Sequence, residues 1–224
     1  MTQKEESVNP ISKKKIKGNW FYFFMKRLFD VICSLLAIII LSPIMIITAI
    51  MVKCSSKGPV IFKDKRVGKN KKLINVYKFR SMYVDAESNI DFYLTPEQKD
   101  TWLKERKLVN DPRITKIGKF IRKTSLDELP QLFNILFGEM SFVGTRPITI
   151  YELEENFTEE EQKIIVSGKP GLTGYWQVYG RGEAEYEDGA RQKLELNYYY
   201  KRGIFFDLKL IFLTVPAVFK GKGV

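Results

Sequence analysis

Two adjacent carboxylates, Asp127 and Glu128, stand in the run Ser125-Leu126-Asp127-Glu128-Leu129-Pro130-Gln131, just after the cations Lys116, Lys119, Arg122 and Lys123. Paired acids amid positive charge suit chemistry on a phosphate. One ionised carboxylate can attack phosphorus as a covalent nucleophile, while its neighbour holds a divalent cation against phosphate oxygens. Ser125 reads as an N-cap and Pro130 is tolerated only near a helix start. A helix is therefore expected to begin here and leave Asp127 beside unpaired amide N–H groups. Such a setting would hold the Asp127 carboxyl below its ordinary range and keep it ionised. The same residues have a purely structural alternative, because Ser125-x-x-Glu128 also matches a capping box in which Glu128 folds back onto the cap's backbone amide.

Composition removes several rival chemistries. The 224 residues include no histidine, which excludes a Ser-His-Asp triad, a Cys-His pair and His-ligated zinc. Acid–base work falls to carboxylates, Lys or Tyr. The two cysteines, Cys33 and Cys54, lie in or beside an apolar stretch; they are too few for a disulfide framework or a zinc cluster and suit a reducing compartment. A net charge of +11 points to an anionic partner: nucleic acid, an anionic membrane surface or a phosphorylated substrate. Position narrows the choice. Lys4, Lys13, Lys14, Lys15, Lys17, Lys26 and Arg27 all precede the long apolar stretch, where a cytoplasmic membrane flank carries its charge.

The elements that must position the acids follow from patterning. Residues 1–18 read as a flexible basic arm, and residues 19–53 as a membrane segment opened by the interfacial aromatics Trp20, Phe21, Tyr22, Phe23 and Phe24. From Leu28 to Val52 the chain is long and apolar enough to span a bilayer. Ser42-Pro43 interrupts it with a residue that removes a backbone hydrogen bond, and cations flank both ends. A kinked span and a helix that enters, bends at Ser42-Pro43 and leaves on the same face both remain open. Residues 54–224 read as a basic domain. It has a hairpin of Pro59–Phe62 and Leu73–Phe79 around Gly68-Lys69-Asn70, and a helix from Thr95-Pro96-Glu97. The acid-bearing helix carries Leu126, Leu129, Leu132, Phe133 and Leu136 at helical spacing and should end at Gly138. A helix is expected over Thr158–Ser167, then a glycine-rich loop over Gly168–Gly182. The apolar C-terminal stretch from Ile204, interrupted by Pro216 and flanked by Lys201, Arg202, Lys209 and Lys220, is expected to lie on the interface. The fold class is α-rich α+β.

Seven strings then fall into one order: KRLFD from Lys26, LSP from Leu41, GPVIFKDKRVG from Gly58, YKFRSM from Tyr77, DPRITKIGKFIRKTSLDELPQLFN from Asp111, GEMSFVGTRP from Gly138 and PGLTGYWQVYGR from Pro170. From about Lys26 to Lys209 the chain resembles the bacterial sugar transferases, the monotopic polyprenyl-phosphate phosphoglycosyl transferases that start capsule, exopolysaccharide and glycoprotein glycan assembly. The resemblance implies transfer of a sugar 1-phosphate from a UDP-sugar to undecaprenyl phosphate, with Mg²⁺ and release of UMP. The catalytic domain would sit at the inner leaflet of the cytoplasmic membrane. The family's nucleophilic aspartate matches Asp127, its metal-associated glutamate matches Glu128, and its re-entrant helix breaks at a Ser-Pro that matches Ser42-Pro43. Lacking the extra N-terminal membrane bundle of larger relatives, the chain is expected to be the minimal catalytic unit.

Within the matching motifs, Lys78, Arg80, Arg146 and Arg181 are candidates to bind substrate phosphates, a role for which Arg is well shaped. Lys78 and Arg80 lie two apart, so on a straight strand they share a face unless a bulge or the strand's end separates them. Trp176 and Tyr179 are candidates to stack on uracil, with a core role as the alternative. The chain departs from the family's Pro-Arg-Pro at Thr145-Arg146-Pro147, where losing the first proline should loosen the turn. Two other functions are weighed. A catalytically silent membrane scaffold is opposed by the intact Asp127-Glu128 pair, and a nucleic-acid binder by the membrane-flanking placement of many cations. A homodimer is left open.

Overall fold

A computed structural model describes residues 15–105, 108, 110–180, 184 and 186–219. Residues 1–14 of the expected basic arm, and Arg181, lie outside the described residues. The first element, α1 (Trp20–Ser55), is built from a run without glycine and is started by Asn19, whose side chain accepts the Tyr22 N–H. It continues through Pro43 without a break. Pro43 has no N–H to give the carbonyl of Ile39, but Ser42 Oγ donates to that same oxygen at 2.8 Å. The serine thus restores the hydrogen bond that the proline removes. The break at Ser42-Pro43 that the resemblance implies is not present: α1 is one continuous helix there.

A single stripe of α1 packs on the rest of the chain from end to end. Tyr22 OH donates to Asp207 at 2.9 Å, and Lys26 pairs with the same carboxylate. Arg27 gives both guanidinium arms to the carbonyls of Ile135 and Leu136 at 2.8 Å each. Buried Asp30 accepts from Ser141 Oγ and the Phe142 N–H, both at 3.0 Å. Further on, Ala37, Ile38 and Leu41 pack against Leu132 and Ile135, and Val52 packs with Phe79 and Ile121. Val52 and Ile121 are fully buried, and each such side chain contributes about 1.5–3 kcal/mol. The opposite stripe, including Ile32, Leu36, Ile40 and Ile47, is apolar and exposed.

The hairpin forms around the expected turn, with β1 (Ile61–Val67) antiparallel to β2 (Leu73–Phe79) and Asp64 opposite Val76; β1 shares only Ile61 and Phe62 with the strand expected over Pro59–Phe62. Two helices follow, α2 (Ile90–Tyr93) and α3 (Pro96–Glu105), the latter starting where Thr95-Pro96 predicts. Next come α4 (Lys116–Lys123), capped by Thr115, and α5 (Gln131–Phe137). As expected, Gly138 ends α5, in the left-handed conformation at φ 84°. Beyond β3 (Ser141–Val143), helices α6 (Ile150–Asn156) and α7 (Glu159–Ile165) each begin with a formed capping box.

The expected glycine-rich loop is instead structured: it contains β4 (Gly171–Thr173), parallel to β3, and α8 (Tyr175–Tyr179). Its glycines serve close packing. A Cβ on Gly171 would lie 2.1 Å from the Gly144 nitrogen, and one on Gly174 would lie 1.9 Å from the Gly144 oxygen. The chain closes with α9 (Ala190–Lys201) and α10 (Ile204–Phe219), whose Leu210 is buried while Phe205 and Phe212 face outward. Among the described residues the architecture is α-rich with two small two-stranded sheets.

Candidate active site

The acid pair sits on a single 3₁₀ turn, Leu126–Glu128, between α4 and α5. The chain leaves α4 through Ser125 in the left-handed region (φ 56°), and the Ser125 side chain caps nothing. The capping box expected as the structural alternative is therefore not formed; Glu128 donates its backbone N–H to the Ser125 carbonyl at 3.2 Å. The α-helix starts only at Gln131, after Pro130. Among the described residues, the Glu128 carboxylate has no ion pair or hydrogen bond and is exposed.

Asn134 fixes this turn against the hairpin. Fully buried on α5, it accepts the Tyr77 N–H at 2.9 Å and donates to the Asn75 carbonyl at 2.7 Å. An α5 side chain thereby bonds the β2 backbone, so Lys78 and the acid pair are held in register. Glu139 accepts the second Asn134 N–H at 2.7 Å.

Asp127 is half-buried, and its carboxyl is pushed up to about 6, chiefly by burial and then by the charge of Glu128. Lys78 and Arg122 pull the other way. This corrects the sequence expectation of a depressed value. No α-helix begins at Asp127 to supply free amides, and desolvation outweighs the cations. Arg122 is fixed by its Nε–H to Ser81 Oγ at 2.8 Å, and burial lowers its own pKa.

Beside the turn opens a cleft of about 480 Å³, within the range of small-molecule sites. Asp64, Arg66, Lys78, Ser125, Glu128 and Arg146 contribute its polar lining. Its apolar walls include Ala37 and Leu41 from α1, Leu129 and Leu132 near the acid turn, and Ile211 from α10. Asp127 lies between the cleft residues Leu126 and Glu128. One space is therefore lined by both charged side chains and apolar residues of α1 and α10.

The remaining candidates separate. Lys78 and Arg146 line the cleft. Arg80 does not: β2 ends at Phe79, and the buried Arg80 guanidinium turns to the carbonyls of Lys57 (2.8 Å) and Ser56 (2.7 Å). It caps the C-terminal end of α1, which corrects its reading as a phosphate ligand. Trp176 is buried, donates its indole N–H to the Ala184 carbonyl at 3.1 Å, and carries the guanidinium of Arg191 at 4.2 Å and of Arg146 at 5.6 Å from its ring centre. Tyr179 is exposed against Tyr175. Neither ring lines the cleft. The Thr145 turn is held by tertiary bonds where a proline is missing: Thr145 Oγ1 hydrogen-bonds the Tyr199 hydroxyl at 3.2 Å, and its carbonyl accepts the Gly171 N–H at 2.8 Å.

The donor set fits a hard divalent cation. Mg²⁺ is usually bound by one or two carboxylates and completed by substrate phosphates and water. Asp127 and Glu128 would be the carboxylates for such an ion; among the described residues no group of three or more His, Cys, Asp or Glu side chains could hold a metal by itself.

The model of one protein family, described as bacterial sugar transferase, matches residues 21–221. An undecaprenyl-phosphate galactose phosphotransferase of Salmonella typhimurium is 43% identical over 202 residues, which is 89% of this chain and 41% of that protein. A UDP-glucose:undecaprenyl-phosphate glucose-1-phosphate transferase of Klebsiella pneumoniae is 43% identical over 213 residues, 91% of this chain and 41% of that protein. The exopolysaccharide production protein ExoY of Rhizobium meliloti is 38% identical over 200 residues, 88% of this chain and 87% of that protein. The chain thus spans about two fifths of the length of the first two and most of the third.

Proposed function

Because the chain belongs to the bacterial sugar transferase family, we propose that it moves a sugar 1-phosphate from a UDP-sugar to undecaprenyl phosphate through an ester on Asp127. The observation that carries this reading is the cleft beside Asp127, lined by Arg66, Lys78, Glu128 and Arg146 and walled by α1 and α10. A water-soluble nucleotide and a polyprenyl tail could meet there. In the first step an Asp127 oxygen attacks the phosphorus that bears the sugar, the bond to the bridging oxygen breaks, and UMP leaves with that oxygen. In the second, a phosphate oxygen of undecaprenyl phosphate attacks the same phosphorus and Asp127 departs as a carboxylate. Lys78, Arg122 and Arg146 stabilise charge gathering on the transferred group and on UMP. Mg²⁺, held by Glu128 with Asp127, would supply further neutralisation of the phosphate oxygens when bound.

The test is UMP release from a panel of UDP-sugars with undecaprenyl phosphate. The panel is needed because the names of equally similar relatives specify galactose in one case and glucose in another. The attacking form of Asp127 is the ionised one, so kcat/KM should fall as pH drops through about 6, where that carboxyl takes up its proton. A rate independent of pH between about 5 and 7 would count against Asp127 as the group that must be ionised.

The same reading extends to topology. We infer that both ends of α1 lie on the cytoplasmic side, with the exposed stripe of the helix embedded in one leaflet. Support comes from contacts at both ends. Tyr22 and Lys26 bond Asp207, while Val52 packs with Phe79 and Ile121. A helix of 36 residues, about 54 Å long, could not cross a ~30 Å core and keep both sets of contacts with one domain on one side. With Cys33 and Cys54 replaced, a cysteine at position 15 should resist a membrane-impermeant thiol reagent in intact cells and react after permeabilisation. Labelling in intact cells would mean that α1 spans.

A further inference from the structure

On β1, Asp64 and Arg66 share a face with Lys78 of the paired strand, and all three line the cleft. One oxygen of Asp64, Oδ2, lies 2.8 Å from the Arg66 guanidinium and 3.3 Å from Lys78 Nζ. The other arm of Arg66 reaches Glu152 Oε2 at 3.1 Å. Glu152 is itself fixed, since the same oxygen accepts the Thr149 N–H at 2.7 Å in the capping box of α6. Arg66 is therefore anchored from one side, while its second arm and Lys78 converge on a single anionic oxygen. A phosphate oxygen bridged by two cations makes the same contacts.

We propose that Arg66 and Lys78 are a diphosphate-binding pair, and that Asp64 is a built-in counter-anion which a phosphate of the nucleotide displaces. This rests on the transferase reading for the identity of the ligand, a nucleoside diphosphate group. To the cations already assigned there, of which Lys78 is one, it adds Arg66 and the restraint of both by Asp64. Asp64 holds the two cations side by side, where like charges would otherwise repel. It also competes with the bound nucleotide, which weakens retention of the product after transfer. Glu152 acts as a positioning residue, since it orients Arg66 without lining the cleft.

The experiment is calorimetric titration of the full chain in lipid nanodiscs with UDP, which requires no turnover. Asp64→Asn should tighten UDP binding by about three-fold or more, because the neutral amide no longer competes for the two cations. Arg66→Gln should weaken it by about ten-fold or more, with Arg66→Lys in between because it keeps the charge and loses the two-sided fork. The tightening cannot arise from a folding defect, so Asp64→Asn stays informative even if Arg66→Gln lowers the melting temperature. A UDP affinity unchanged or weakened in Asp64→Asn overturns the counter-anion role, and one unmoved in Arg66→Gln overturns the pair. Failure of the transferase reading has a different signature, namely no UMP release by wild type from any UDP-sugar.

Discussion

Asp127→Asn should abolish transfer, with residual UMP release below roughly one thousandth of wild type, because a neutral amide cannot attack phosphorus or form the ester. Intact-mass measurement of wild type mixed with UDP-sugar alone should show a phosphosugar adduct that the variant lacks. The loss should come without unfolding. Burial and Glu128 raise the Asp127 carboxyl to about 6, so protonation favours the folded chain. The ionised form costs the fold stability at pH above about 6, and this cost is relieved as pH falls below it toward the ordinary carboxylate range. The amide in the variant is neutral at every pH. At about pH 7 the variant should therefore melt no lower than wild type, and the gap should close as the solution is acidified through that window. Full activity in Asp127→Asn would end the covalent mechanism; an inactive variant that melts well below wild type would point to a structural role.

Glu128→Gln should lower the rate by about a hundred-fold or more with the fold intact, since a neutral amide binds Mg²⁺ poorly. Had Glu128 belonged to a capping box, Gln would have replaced most of its function and the rate would have survived. The turn geometry removes that alternative, because the Ser125 side chain caps nothing and the Glu128 carboxylate is unpaired among the described residues. The accompanying sign is a raised Mg²⁺ requirement. If Glu128→Gln keeps both the wild-type rate and the wild-type Mg²⁺ dependence, metal binding by this residue is wrong.

Between Lys116 and Ile165, three stretches have the same capping-box spelling, and their fates show what sequence can and cannot tell. Thr149-x-x-Glu152 and Thr158-x-x-Glu161 both form the box, with cap residues in extended backbone at φ −72° and −63°. Ser125-x-x-Glu128 does not, because the chain is still leaving α4 there and Ser125 is forced to φ 56°. The pattern is local, but the conformation at its first residue is set by the preceding helix. The period-two argument for Arg80 failed for a similar reason, since β2 stops one residue short. Elements that depend on local chemistry were legible: the hairpin, the start of α3 at Thr95-Pro96 and the stop of α5 at Gly138.

The Asp127 carboxyl was misjudged because burial depends on what folds over it. Asp64 and Arg66, alternating on a strand among other charges, look like a solvated edge in sequence. Their meaning needs Glu152, 86 residues away. Asn134 is not singled out by the sequence, because its role depends on partners on β2 that only the fold brings to it.

The end-to-end packing of α1 changes what the word anchor means for this protein. A tether can be cut, leaving the enzyme in solution. Here the same helix supplies Tyr22, Thr48 and Val52 to the buried interior, Asp30 to the backbone of β3, and Ala37 and Leu41 to the wall of the cleft. Deleting it would strip part of the core and open one side of the site. Helix α1 and the candidate site are a single folding unit, and on the proposed reading the lipid surface would be the missing exterior of that unit's own interior.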